Sequence, residues 1–462
     1  MMNPKRLILL ALCTGACMSA SAWNAGDLRT DSIPSGSADT WTLQRCIYHA
    51  LEQNIDIKMD MINAESAGID EKTAKAAFLP SLNASIGQRI VNNPFSDTNT
   101  IIDGDQITSS TAKTNYNGSY GIDASWIIYN GSKRINTLKQ QQTARETAEL
   151  TVEQSKNAII ENIIQLYIQI LYANEAVNIN RSTLEVSTEE CRRGEELLNA
   201  GSISKADYAQ LQAQVSNNKY LLVSSQSNLE NYKLQLKQLI ELNGNETFDV
   251  ETPDINDSDI LVPLPDKNEI YNSALALRPE IKAGQLDLQQ SDLAISIAKA
   301  DYIPTLSLSA GIGTNHTNGS DFTFAEQMKT NWNNSIGLTL SIPIFNNRQT
   351  KSNVQKAKLQ KQNSMLQLTN QQKELYKTIE GLWLDAKNSQ MQYEAAEDKV
   401  SSTQTSYDLV SEQFNLGMKN TVELLTEKSN LLNAQQEMLQ SKYMSLMNII
   451  LLNFYKDGTI TF

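Results

Sequence analysis

Twice in this chain a polar helical pattern ends at a proline and turns at once into a short alternating strand. "AKAAFLPSLNASIG" does so at Pro80, and "AKADYIPTLSLSAGIG" does so at Pro304. In the second copy Leu306, Leu308, Ala310 and Ile312 alternate with Thr305, Ser307, Ser309 and Gly311. That period of two gives a strand one apolar and one polar face. Lys75 aligns with Lys299, Phe78 with Tyr302 and Pro80 with Pro304, at an offset of 224. Farther on, "WIIYNGSK" aligns with "IPIFNNRQ" at an offset of 216, pairing Tyr129 with Phe345 and Asn130 with Asn346. The segment between the strands is therefore eight residues longer in the first copy. A surface loop absorbs such a difference and a packed element does not. An internal duplication sets the plan of the whole fold.

Each half reads as helix, strand, polar loop, strand and long helix. The strands fall near 80–92 and 115–129 in the first half and near 304–316 and 332–346 in the second. A Gly, Asn, Asp and Thr rich surface loop fills the first gap. Tyr120, Ile122, Ala124, Trp126 and Ile128 share one face, as do Ile336, Leu338, Leu340, Ile342 and Ile344. The proline-free stretches 131–201 and 347–417 follow, each long enough for roughly 105 Å of helix. Apolar residues recur in them at 4, 3, 4 spacing: Ile160, Ile164, Tyr167 and Leu171 against Leu375, Ile379, Leu382 and Ala386. A stripe this narrow on a Gln, Asn, Ser and Lys surface marks a coiled-coil seam.

Both long helices end at a glycine turn, "LNAGSISKADY" and "FNLGMKNTVELL", from which a return helix starts. The returns are 202–242 continued by 267–303, and 418–456 continued in space by 42–79. The proposed division is a signal peptide at 1–22, a flexible N-terminal segment at 23–40 and a first repeat at 41–243. An equatorial linker at 244–266, with Pro253, Pro263 and Pro265, precedes a second repeat at 267–462.

Lys5 and Arg6, the apolar run Leu7 to Met18 and "SASA" predict a secretory signal cleaved after Ala22. The competing reading is lipidation at Cys17, although Thr14 stands where a lipobox has leucine. Beyond the signal only Cys46 and Cys191 remain, as packed free thiols or one disulfide. The formal charge of −13, with no basic cluster, argues against nucleic acid as a partner. No other apolar run approaches the roughly 18 residues of a membrane helix, so strands must supply any membrane part.

Strands of this length with one apolar face fit outer-membrane strands of roughly 9 to 11 residues. Leu82, Ile122, Trp126, Leu306, Leu308, Leu338, Leu340 and Ile342 are the expected lipid-facing residues. Tyr120, Trp126, Tyr129, Tyr302, Trp332 and Phe345 lie where aromatic girdles would. Four strands cannot enclose a lumen, for which about eight are needed, and lipid tolerates no open sheet edge. Several chains must therefore pool 8, 12 or 16 strands. A wall of helices one layer thick, wet on both sides, explains why the helices are so polar.

With these features the sequence resembles the TolC-like outer-membrane efflux proteins over nearly all of its mature length. The resemblance rests on the junctions at Pro80 and Pro304, on "SIPIFNN" and on "FNLGMKNTVELLTEKSNLLNAQQEML". It implies a mainly α fold with a small transmembrane β part: a long antiparallel coiled-coil α-barrel and four strands per chain in a 12-stranded trimeric β-barrel. It further implies a homotrimer in outer-membrane lipid that docks a periplasmic adaptor (membrane fusion) protein and an inner-membrane pump of the RND or ABC type. Its function would be the exit duct of a tripartite efflux or type I secretion system. Carried over residue by residue, the docking tip falls at Gly201, Ser202, Gly417 and Met418. Glu423 takes the first of two acidic gate positions, Thr426 replaces the second acid, and Lys419 stands where a basic residue holds the tip closed.

His49 and His316 are the only histidines and neither sits at metal-ligand spacing. There is no GxxxxGK[ST], and "GIGTNHTNG" lacks the third glycine of a phosphate loop. No enzyme activity and no cofactor are expected. The alternatives are a secreted coiled-coil structural or adhesive surface protein and a periplasmic hydrolase. Neither accounts for two amphipathic hairpins at matching places in a repeat.

Overall fold

The computed structural model describes residues 40–95, 99–103, 106–110, 113–243, 248–318, 320 and 322–460. The expected signal peptide, the Cys17 anchor and residues 23–39 lie outside the described residues. The fold is mostly helical with few strands. Its main helices are α1 (Leu43–Gln53), α2 (Ile55–Ala76), α3 (Lys133–Asn199), α4 (Lys205–Leu239), α5 (Lys267–Leu277), α6 (Pro279–Ala300), α7 (Gln349–Asn415) and α8 (Thr421–Asp457). The sheet strands are β1 (Ser81–Asn92), β2 (Thr114–Tyr129), β3 (Thr305–Thr317) and β4 (Asn333–Ser341). They lie in the order β1–β2–β3–β4, every neighbour antiparallel.

The two long helices, α3 and α7, have 67 residues each and span roughly 100 Å. Toward the sheet α2, α3, α6 and α7 pack side by side; toward the glycine turns α4, α3, α8 and α7 do. The return segments 42–79 and 267–303, each expected as one helix, are both broken in two. Asn54 ends α1 and caps α2, its Oδ1 accepting the Asp56 and Ile57 amides at 2.9 and 3.3 Å. In the other path Arg278 is extended and Pro279 opens α6. Proline cannot donate the helical hydrogen bond and disfavours helix at the residue before it. Residues 54 and 278 stand at the same 224 offset as the prolines.

The fourth strand ends at Ser341, short of 346, because Pro343 has no amide to give a ladder. Ile342 and Ile344 therefore lie beyond it. The first polar loop holds a hairpin of its own, Asn99–Asp103 with Gln106–Ser110, and the second a short helix, Phe324–Thr330. At the strand-to-helix corners, left-handed pairs turn the chain: Gly131 and Ser132 (φ +65° and +66°), then Asn347 and Arg348 (φ +52° and +65°). Gly131 also admits close approach, since a Cβ there would stand 2.8 Å from that of Ile303. Arg134 braces this corner by donating to the carbonyls of Ala77 and Ile128, both at 3.1 Å.

The core sits at mid-height. Ile163, Ile164, Tyr167, Ile170 and Leu171 of α3 pack with Cys46, Ala50 and Ile57 and with Leu446, Ile450 and Phe454 of α8. A second cluster joins Ile270, Ala274, Ile281, Leu375, Ile379, Ala386 and Leu452. Each of its seven members stands 224 or 216 positions after a member of the first. The linker closes on this level: the Glu251 amide donates to Trp41 O at 3.0 Å, and Gln390 donates to Ile260 O and Val262 O at 2.9 and 2.8 Å. Cys46, fully buried, and Cys191 are both free, and burial pushes the Cys46 thiol up to about 12.

Candidate functional site: the sheet face and the helical tip

Alternation and register sort the strand residues onto two faces. Leu82 pairs with Ala124, Ile122 with Ala84 and Ile312, Trp126 with Leu308, Leu308 with Leu338, and Leu306 with Leu340. These directly opposed residues share a face, on which Ile86 and Ile336 are 78% and 84% exposed. So large an exposed apolar face is unlike a water-facing surface. A register shift between Ile127 and Tyr129 puts Tyr129, not Ile128, opposite Leu306. The extra residue is a β-bulge, which bends the strand at the corner. The opposite face carries Asn83, Ser85, Ser119, Asp123, Ser307, Ser309, Ser335 and Thr339, with glycines between. Pro80 and Pro304 stand immediately before the first residues of β1 and β3. Among the described residues, β1 and β4 bond a strand on one side only.

At the other end the two hairpins turn alike. Gly201 (φ +75°) and Gly417 (φ +72°) stop α3 and α7. The Ser202 and Met418 amides reach back to Leu197 O and Gln413 O, both at 2.8 Å, closing Schellman motifs that need a left-handed residue. Capping boxes open the return helices, Ser204 with Asp207 and Asn420 with Glu423. Leu416, Met418 and Val422 project from the second turn as exposed apolar side chains.

Glu423 is engaged rather than free. Its Oε1 accepts from Lys419 Nζ at 2.5 Å and its Oε2 from the Asn420 amide at 3.2 Å. The Lys419 ammonium first, then that amide, hold the carboxyl below its ordinary 4.5. Thr426 donates to Val422 O at 2.8 Å, so its hydroxyl serves its own helix.

About ten residues before the glycine turn, some 15 Å of helix, lies a buried polar hub that sequence reading did not single out. Lys428 of α8, 5% exposed, donates to Glu190 Oε2 at 2.5 Å and to Ser187 Oγ at 2.8 Å. Glu190 Oε1 accepts from the Tyr407 hydroxyl of α7 at 2.6 Å. Ser187 also accepts from Asn218 of α4 and donates to Thr183 O at 2.7 Å. Lys428 joins α8 to α3, and Glu190 and Ser187 extend the network to Tyr407 of α7 and Asn218 of α4. Burial pulls the Lys428 pKa below its ordinary value while Glu190 pulls it back, and burial together with Glu190 raises the Tyr407 hydroxyl. Just below, Leu211, Phe414 and Leu424 form a small apolar core between the hairpins. The signal that could have found the hub is spacing: Lys428 sits at a seam position between Leu424 and Leu431.

No helix among the described residues is long and apolar enough to cross a membrane, and no group of three His, Cys, Asp or Glu among them could hold a metal ion. Residues 46–241 and 270–449 match the model of the outer membrane efflux protein family. The chain is similar to the probable outer membrane lipoprotein SilC of Salmonella typhimurium, 24% identical over 88% of this chain and 84% of that protein. With the outer membrane protein TolC of Escherichia coli K12 it shares 23% identity over 71% of this chain and 67% of that one. Its fold superposes on the crystal structure of CusC with a TM-score of 0.77, covering 90% of this chain and 92% of that chain at 19% identity. Two hairpins of transmembrane-type strand on paired helical rods, and a family model that matches most of both halves, lead to one statement: this chain belongs to the outer membrane efflux protein family.

Proposed function

We propose that three copies of this chain form an outer-membrane channel-tunnel, the exit duct of a tripartite efflux or type I secretion system. The observation that carries this reading is the four-stranded sheet, apolar on one face, polar on the other and, among the described residues, unpaired at both edges, on helices roughly 100 Å long. An apolar face belongs in lipid, and open edges are tolerated there only when another chain closes them. Three sheets of four strands give a 12-stranded barrel with room for an aqueous lumen. The matching offsets of the helix breaks, corners, turns and core clusters support a twofold internal repeat. The division into residues 41–243, 244–266 and 267–462 follows from it.

In this reading the helices form a tunnel through the periplasm and the cargo passes passively. Energy comes from an inner-membrane pump of RND or ABC type, reached through a periplasmic adaptor. Gly201, Ser202, Gly417 and Met418 are the docking positions; the exposed Leu416, Met418 and Val422 give an adaptor apolar surface to cover. Glu423 and Lys419 pair at the entrance as the gate, with Thr426 one turn farther on. A signal peptide at 1–22 delivers the chain to the outer membrane, and Cys17 would supply a lipid anchor if cleavage precedes it.

The test is assembly and docking in cells. Membranes should yield a heat-modifiable trimer in detergent, resistant to salt extraction. Ser202→Cys or Met418→Cys should cross-link to a periplasmic adaptor. Release by salt as a soluble chain overturns the reading.

A further inference from the structure

The four sheet strands contain two residues charged at neutral pH, Arg89 on β1 and Asp123 on β2. Both stand on the polar face, at different levels. Asp123 pairs with Asn83 and with Gly311, which pairs in turn with Ser335, and this row crosses the middle of the sheet. Arg89 pairs with Asn117, which pairs with Thr317, and this row lies near the loop end. Six positions along β2 separate the rows, roughly 20 Å. The remaining polar-face positions of the four strands are almost all Gly, Ser, Thr and Asn.

The ground around Asp123 is cleared. A Cβ on Gly311 would stand 2.9 Å from its Oδ1, and one on Gly121 3.6 Å from its Oδ2. With glycine at both neighbours the carboxylate lies along the sheet, exposed, without a side chain over it. Arg89 is likewise exposed.

We infer that Asp123 and Arg89 are charge-selecting residues of the barrel lumen: Asp123 forms a cation-favouring belt at mid-height and Arg89 an anion-favouring belt at the outer mouth. This rests on the trimeric channel proposed above, in which each belt holds three charges. Rings of like charge on a pore wall concentrate counter-ions. In a wide lumen their reach is the Debye length, about 30 Å at 0.01 M salt and about 3 Å at 1 M. Cationic solutes are thus enriched at the Asp123 level at low salt, and the enrichment collapses at high salt.

Local charge can be read without passing the tip, by comparing how fast a cationic and an anionic methanethiosulfonate modify a cysteine. Ser335→Cys reports the Asp123 row and Asn117→Cys the Arg89 row, each in a Cys191→Ser trimer in which Cys46 is buried. At about 0.01 M salt the cation-to-anion rate ratio at Ser335→Cys should exceed one and fall at least about threefold with Asp123→Asn. At Asn117→Cys it should lie below one and rise comparably with Arg89→Gln. Both differences should vanish at about 1 M salt. A ratio at Ser335→Cys that Asp123→Asn leaves unchanged at low salt, in a heat-modifiable trimer, overturns the inference alone. Loss of the trimer from the parent chain instead overturns the channel reading beneath it.

Discussion

Lys428 shows how a single residue escapes a reading by composition. In a chain with 39 Lys and Arg and 52 Asp and Glu, a lysine on a polar helix is ordinarily taken for solvated surface. The heptad seam carries the missing information, because a knob position buries whatever occupies it. Breaking one side of a buried ion pair costs about 3–5 kcal/mol, since the other charge is left without a partner. Lys428→Met should therefore raise amide exchange in 187–194 and 424–431, while Lys428→Met with Glu190→Gln should recover most of the protection. Equal exchange in the single and double variants would show that the pair is not coupled. Glu423, by contrast, is singled out only by the family resemblance, which does not reveal its double use as cap and ion-pair partner. Its folded pKa is lowered, so the stability it adds is fully present above pH 4.5 and is lost as pH falls through the lowered value. If Glu423 is the gate, the cation preference that Glu423→Gln removes should stay constant from pH 7 to 4.5 and fade only below. A loss already complete at pH 5.5 would detach Glu423 from it.

At the scale of elements, type and order followed from periodicity, whereas interruptions did not. The alternation around Leu306 and Leu338 and the 4, 3, 4 stripe of α3 and α7 are long signals that survive local noise. The breaks at Asn54 and Arg278 are single-residue events. Proline at 279 was a written signal, since the residue before it is pushed out of the helical region. Asn54 is subtler, a cap whose strength depends on what its amide finds: Nδ2 donates to Leu239 O at 3.0 Å, tying the start of α2 to the end of α4. Asn54→Ala removes both the cap and this tie, at a cost of about 1–2 kcal/mol. The expected result is faster exchange at Asp56, Ile57 and Lys58 with the rest of α2 unchanged. Unaltered exchange at those amides would mean that the break is held from elsewhere. The end of β4 has the same logic, Pro343 having been visible while its effect on the ladder was passed over.

At the scale of the molecule, the paired offsets decide more than any motif. Seven buried residues of one cluster stand at 224 or 216 from seven of the other, so two sets of side chains solve one packing problem in the same way. What no single chain specifies is the closure of its sheet: in the proposed channel the apolar face meets lipid and the edges β1 and β4 are closed by other copies. That makes face assignment the property on which the whole assembly turns, and neighbours in one strand can test it. Leu338 lies on the apolar face and Thr339 on the polar face, one residue apart near the middle of β4. A lysine on a lipid face costs about 2–4 kcal/mol near mid-bilayer, and one in a water-filled lumen costs little. Leu338→Lys should thus sharply lower the yield of heat-modifiable trimer in the outer membrane, while Thr339→Lys should assemble like the parent. The reverse order would mean that the two faces of the sheet are exchanged, and equal yields that neither face meets lipid.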